Sequence, residues 1–314
     1  MPDAGRLMPD ALPLTPDAGR RTPDASALHN LTNFTIFRKK LMQYSIKLKN
    51  GQILRGFLNS PGDRTRANII FVHGLGEHIN RYNFWAGSFN REGIGFTGLD
   101  LPGHGSSDGR RGYIRSYSFT DEMLDILLQH IWSTFPGVPV FLYGHSLGGG
   151  IVLDYLLRKK PAVKGAIVTS PWLKLSFQPD KFKLALISVI KNILPGLVQP
   201  SGLVTANLSR NRDVVEKYNS DPLVHGKISV SLAHSAMKAA ERSLRHSEEL
   251  EVPLLLMHGS RDMICSPEGS SGFAAGTKLA ELKIWDGGFH ELHNEPFKDQ
   301  VLEYIISWMN RILK

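Results

Sequence analysis

The chain has 314 residues, 42% apolar and 21% charged, with 30 glycines, 18 prolines and one cysteine, enough for one large α/β domain or two modest ones with a continuous core. A single cysteine, Cys265, makes neither an internal disulfide nor a thiolate zinc site, so a disulfide-stapled secreted scaffold and a zinc ribbon are excluded. The formal charge of +8 invites a nucleic-acid reading, but Lys and Arg are scattered, no basic run exceeds Arg38-Lys39-Lys40, and no phosphate-tracking stripe results.

The first thirty residues stand apart, because Pro-Asp-Ala recurs at Pro2, Pro9, Pro16 and Pro23. A heptad raises the coiled-coil question, yet a proline in every repeat removes a helical hydrogen bond each time, at about 3 kcal/mol per interior position. Residues 1–33 are therefore expected to be a disordered tail before a globular body at 34–314. The tail has no continuous apolar region behind a basic start, so no secretion signal is read and a cytoplasmic location is expected.

Gln43 to Leu58 reads as two strands joined at Asn50-Gly51, a hairpin signal. Ala67 to Val72 is a short apolar run entering Gly-rich sequence, as a buried parallel strand would. Further strands are expected at Gly95 to Leu99, Val138 to Tyr143, Val163 to Ser170, Val252 to His258 and Lys278 to Trp285. Helices are expected at Tyr82 to Arg91, Phe119 to Thr134 (capped by Ser118 or Thr120), Leu147 to Arg158 and Pro296 to Ile312. Strand and helix in alternation imply a mainly parallel sheet covered on both faces.

One interval breaks the rhythm, since roughly 75 residues separate Trp172 from Leu250; a structureless loop of that length is rare, so an inserted subdomain is expected at about 172–245. Within it, Phe182 to Leu194 suits a helix stopped by Pro195-Gly196, with Lys181, Ser188, Lys191 and Asn192 on one side and apolar residues elsewhere. It falls short of the roughly 18 to 20 apolar residues of a membrane span. Two readings stay open for it: a helix packed on the body, or a lid that touches membrane or lines an apolar channel.

The chemistry is concentrated in Gly144-His-Ser-Leu-Gly148, which matches the Gly-x-Ser-x-Gly nucleophile elbow and lies between an expected strand and an expected helix. A serine hydroxyl needs a base, and the base needs a carboxylate to orient it. In this motif's setting the chain order is Ser, then Asp or Glu, then His, each just past a strand. Ser146, Asp262 and His290 satisfy that order. Asp286 and His293 are the competing acid and base, although Asp286 sits four residues before His290, where shaping the turn suits it better. Two backbone amides must face the developing oxyanion, and Leu147 after the nucleophile and Leu75 in His73-Gly-Leu-Gly76 are the candidates. His73, His78, His104 and His145 lack helical ligand spacing, so no metal is expected. Cys265, three residues past Asp262, reads either as a small packed residue or as a thiol whose modification would disturb Asp262.

Taken together, His73-Gly-Leu-Gly-Glu-His-Ile-Asn-Arg-Tyr82, Asp100-Leu-Pro-Gly-His-Gly-Ser106, Gly144-His-Ser-Leu-Gly-Gly149, Asp221-Pro-Leu223 and His290-Glu-Leu-His293 resemble the monoacylglycerol lipase and lysophospholipase group of the α/β-hydrolases, over about residues 40 to 314. The resemblance implies an α/β-hydrolase fold with a mostly parallel sheet, helices on both faces and a helical cap over an acyl tunnel. It also implies a triad of Ser146, Asp262 and His290, oxyanion amides at Leu75 and Leu147, and no cofactor. Glu77, Arg81 and His293 match positions that serve the alcohol end of the substrate; read as residues alone, they equally describe a network supporting the oxyanion loop. The expected partner is a lipid ester, with peripheral membrane contact through the cap and no nucleic acid. Lysophospholipase, general carboxylesterase and proline-releasing peptidase are the enzyme alternatives. A non-catalytic binder of an apolar ligand is the remote one.

Overall fold

The computed structural model describes residues 40–177 and 193–314. The expected tail at 1–33 and residues 182–192 of the expected apolar helix lie outside them.

The chain enters the sheet through β1 (Lys40–Lys47) and β2 (Ile53–Ser60), an antiparallel pair closed around Asn50-Gly51, where Gly51 has φ 89° and the Asn50 side chain accepts from the Gln52 amide. Then come β3 (Ala67–Val72), α1 (Asn83–Arg91), β4 (Ile94–Leu99), α2 (Ser118–Thr134), β5 (Val140–His145), α3 (Leu147–Lys159) and β6 (Gly165–Thr169). The chain returns to the sheet at β9 (Leu254–Gly259) and β10 (Ala280–Trp285). Sheet order is β1-β2-β4-β3-β5-β6-β9-β10, with only β2 running against the rest. Strands β3, β4, β5, β6 and β9 are buried at every position, which is why they read as apolar runs without alternation.

Between β6 and β9 lie a short antiparallel pair, β7 (Val198–Pro200) with β8 (Lys227–Ser229), and helices α4 (Arg212–Ser220) and α5 (Val230–Arg245). Helix α5 buries Leu232, Ala233, Ala236 and Ala239 in the same core as Val152 and Leu156 of α3, so the last helix of the insertion packs on the body. Two helices complete the chain, α6 (Pro267–Ala275) and α7 (Lys298–Leu313).

The core lies in two layers. On one face of the sheet α2, α3 and α5 cover Ile70, Val72, Leu142, Val168 and Leu256; on the other, α1 and α7 cover Ile69, Phe71, Phe141, Ile167 and Leu255. The alternation of these residues along each strand is the two-residue period of a sheet buried on both faces. The expected caps of α2 do not form. Tyr117 holds the N-cap position, the Thr120 hydroxyl donates back to the Tyr117 carbonyl at 2.8 Å, and Ser118 meets Ser116. Once Thr120 is fully buried, its hydroxyl must find an internal acceptor, and the carbonyl three residues back is the nearest.

Candidate active site

The turn from β5 to α3 is sterically demanding. Ser146 has φ 54° and ψ −119°, an unusual conformation for a residue with a side chain. Its flanks tolerate no Cβ, because one added at Gly144 would lie 2.4 Å from the Gly148 carbonyl oxygen, and one at Gly148 would lie 2.1 Å from that of Val72. The glycines of the pentapeptide therefore let β5, α3 and β3 approach closely enough to hold the serine at the strand edge.

The other two residues arrive on neighbouring strand ends. Asp262 follows β9 and His290 follows β10. His290 Nε2 lies 2.9 Å from Ser146 Oγ, and His290 Nδ1 lies 2.7 Å from Asp262 Oδ2. The Asp262 carboxylate is held from its other side, Oδ1 accepting the amides of Ile264 and Cys265 at 2.8 and 3.0 Å. Burial disfavours charge on Asp262, but the His290 charge and the hydrogen bonds outweigh it and hold its pKa well below the usual carboxylate range. Burial likewise pulls His290 down, and the charge and hydrogen bond of Asp262, backed by Glu291 and Glu77, more than reverse this. The geometry suits proton transfer from a serine hydroxyl to an imidazole held by a carboxylate.

The competing residues stand elsewhere. Asp286 accepts from the Ser260 hydroxyl at 3.1 Å beside Gly287, whose φ is 65°. His293 is buried against Tyr82 and His145, and neither of its ring nitrogens has a partner among the described residues. Leu147 is the first residue of α3, where an amide has no intrahelical acceptor and points out of the helix; Leu75 and Ser146 line one pocket.

Below the Gly74–Gly76 loop lies a buried charge network. Glu77 Oε1 accepts from the Gly74 amide at 2.6 Å and from Tyr82 Oη at 2.8 Å, while Oε2 meets Arg81. Arg81 also donates to both oxygens of Glu291 at 2.8 Å. Arg81 is thus fully engaged by two carboxylates, and Glu77 fixes the loop. Glu291 carries no role in the motif reading; an acid directly after the candidate base was the available signal. His78 joins the same region to the insertion through Asp221 at 2.8 Å, which accounts for Asp221-Pro-Leu223 in the motif set.

His145, Glu291 and His293 place ligand atoms within 4.8 Å of one another. Glu291 is already bound by Arg81 and, at 2.7 Å, by the Asn294 amide. A guanidinium so close opposes a second cation, and these residues do not fit a metal. Burial lowers His145 and His293 to about 3, so both stay uncharged beside His290. Burial pushes the Cys265 thiol up, so it packs as a neutral group.

The pocket at Ser146 is walled by Leu75, Trp172, Leu175, Leu203, Leu208 and Ile264, with Glu77, Glu291 and Tyr218 at its polar end. No helix among the described residues is long and apolar enough to cross a membrane.

Comparison with known proteins bears on this arrangement. The profile of a family described as serine aminopeptidase, S33, matches residues 63–297. The chain is 35% identical over 257 residues to an uncharacterized abhydrolase domain-containing protein of Dictyostelium discoideum, matching 80% of this chain and 27% of that longer one. It is 32% identical over 248 residues to the phospholipase YtpA of Bacillus subtilis, covering 77% of this chain and 94% of the relative. The crystal structure of a monoacylglycerol lipase from Paleococcus ferrophilus superposes with a TM-score of 0.75 at 32% identity, over 87% of this chain and 99% of that one.

Proposed function

Because the chain belongs to the serine aminopeptidase S33 family of α/β-hydrolases, we propose that it is a serine hydrolase of lipid carboxylic esters, acting on monoacylglycerols to release fatty acid and glycerol. Ser146 attacks the ester carbonyl as His290 takes its proton, while Asp262 orients the imidazole and stabilises its charge. The amides of Leu75 and Leu147 receive the tetrahedral oxyanion. His290 then protonates the departing alcohol. Water, activated by the same imidazole, hydrolyses the acyl-enzyme.

The observation that carries the substrate class is the charge at the polar end of the pocket. Glu77 and Glu291 line it, with the Arg81 guanidinium between them, and most of the remaining lining is apolar. The local sum is one negative charge, which accepts a neutral polyol and repels a phosphodiester. Phospholipase YtpA remains a relative of comparable identity, so lysophospholipid hydrolysis is the second reading. A carboxylate pair also suits an α-ammonium group, as an aminopeptidase would require, but the apolar side chains of the wall favour an acyl chain.

The insertion between β6 and β9 serves as the cap. Phe177, Val204 and Met263, between 51% and 60% exposed, adjoin or belong to the pocket-lining segments and form an apolar rim that meets a lipid surface without a membrane-spanning helix.

The test compares hydrolysis of monoacylglycerols of graded chain length with lysophosphatidylcholine, short soluble esters and aminoacyl amides. Monoacylglycerol turnover at least about tenfold above lysophosphatidylcholine is expected, from about 1.4 kcal/mol of discrimination. Faster lysophospholipid or aminoacyl-amide turnover overturns the substrate assignment. Covalent labelling by a fluorophosphonate that survives Ser146→Ala overturns the nucleophile.

A further inference from the structure

Asp262 serves two imidazoles. His258, the penultimate residue of β9, is fully buried, and its Nε2 lies 3.0 Å from Asp262 Oδ2, the same oxygen that His290 Nδ1 meets at 2.7 Å. His258 Nε2 also lies 3.0 Å from the Cys265 carbonyl oxygen. Both neighbours are acceptors, so Nε2 carries the hydrogen and shares it between them. At the far side of the ring, Nδ1 lies 2.7 Å from the Ser270 hydroxyl on α6, which is itself fully buried. A hydroxyl donating to Nδ1 fixes the tautomer that places the hydrogen on Nε2.

We propose that His258 is a positioning residue, which, oriented by Ser270, draws charge from Asp262 Oδ2 and thereby sets how basic His290 is. This rests on the assignment of Ser146, Asp262 and His290 to the chemistry. A carboxylate oxygen that accepts two N–H groups attracts each less than it would attract one alone. The two loop amides hold Oδ1 and restrain the carboxylate from one side. His258 restrains it from the other, so its loss both concentrates negative charge on His290 and loosens the carboxylate. Other groups facing this chain are His145, Glu77 and Glu291 around His290, and the Cys265 thiol beside Asp262. Arg81 and His293 lie behind them. None of these is altered by substitution at His258 or Ser270, so a change in the pH profile reports this contact.

The experiment is the pH dependence of kcat/KM on p-nitrophenyl butyrate, a soluble activated ester whose turnover does not depend on the physiological substrate. In His258→Phe the acid limb moves up by about half a unit or more, and kcat falls roughly tenfold, within what small misplacements cost, with KM changed less than about twofold. His258→Gln, whose amide reaches the same oxygen, leaves the limb near that of the parent. Ser270→Ala moves it in the same direction as His258→Phe, by less. An unmoved limb in His258→Phe, or an equal shift in His258→Gln, overturns the proposal. Should His258→Phe fail to melt cooperatively, Ser270→Ala decides, and an unmoved limb there overturns it. A wrong lipid assignment would leave these profiles intact, whereas a wrong nucleophile would show as turnover by Ser146→Ala.

Discussion

Individual residues carry constraints that trade stability for placement. Ser146 holds φ 54° and ψ −119° at the elbow, a conformation that costs a residue with a Cβ on the order of 1–3 kcal/mol and costs glycine little. Ser146→Gly should therefore unfold at higher denaturant than Ser146→Ala, by about 1 kcal/mol after the extra entropy of glycine in the unfolded chain is subtracted. Both variants should lack turnover. Equal stabilities in a urea titration would mean that the strain is absorbed elsewhere. The nucleophile, the acid and the base stand out in sequence because each follows a strand and a nearby glycine, and the nucleophile has glycines on both sides. Glu291, His258 and Ser270 do not, because their roles depend on which side chain each meets across the fold: Arg81, Asp262 and His258 respectively.

At the scale of elements, α2, α3 and α5 are tied by charge as well as by apolar packing. Asp154 of α3 is completely buried and receives Arg158, four residues along the same helix, and Arg242 of α5; Arg158 also reaches Asp121 of α2 at 2.8 Å. Removing both cations with Arg158→Met and Arg242→Met leaves a buried carboxylate unpaired, and the double variant should lose about 3 kcal/mol. Each single variant should lose less, because one partner remains and both arginines are partly exposed. The expected pattern in a double-mutant cycle is a loss greater than the sum of the singles, and simple additivity would remove Asp154 as the shared anchor. The strands of the main sheet were legible to within about two residues, save β1, which begins three residues before Gln43, because fully buried strands are short apolar runs closed by turns; the short β7 and β8 of the insertion were not expected. Helix α5 was not among the expected helices. Ala233, Ala236 and Ala240 recur at helical spacing in α5, so the amphipathic pattern is present in the sequence, and these small residues let α5 approach α3 closely. Helix α6 was not among the expected helices, although Ser266-Pro267-Glu268 supplies a capping serine, a proline in the first turn and an acid beside it.

For the whole molecule, the histidines decide the response to acid. Burial lowers His145 and His293 to about 3 and His225 to about 4, and also lowers His73, His104 and His130. In each the folded pKa is below the unfolded value of about 6.5, so below that pH the unfolded chain binds the extra proton. Stability is intact above about pH 6.5 and falls as pH drops toward 4, by up to about 1.4 kcal/mol per pH unit for each histidine. His290 has the opposite sign, since its raised pKa adds stability at low pH that is lost on passing upward through that pKa. Six residues against one give a net loss on acidification, measurable as a falling urea midpoint between about pH 7 and about pH 5; a constant midpoint would show these imidazoles to be solvated. The sequence by itself determined the alternating α/β order, the Ser146, Asp262 and His290 candidates and the existence of an insertion, because strand burial, tight turns and loop length are local properties that leave local patterns. Only the tertiary structure decided that Arg81 is neutralised by Glu77 and Glu291, that Asp262 is shared by two histidines, and that α5 belongs to the core. Arg81 with Glu291, Asp262 with His290 and α5 with α3 are meetings between segments distant in the chain; Glu77 with Arg81 and His258 with Asp262 are four residues apart, and there burial and loop geometry, which spacing alone does not encode, decide which atoms meet.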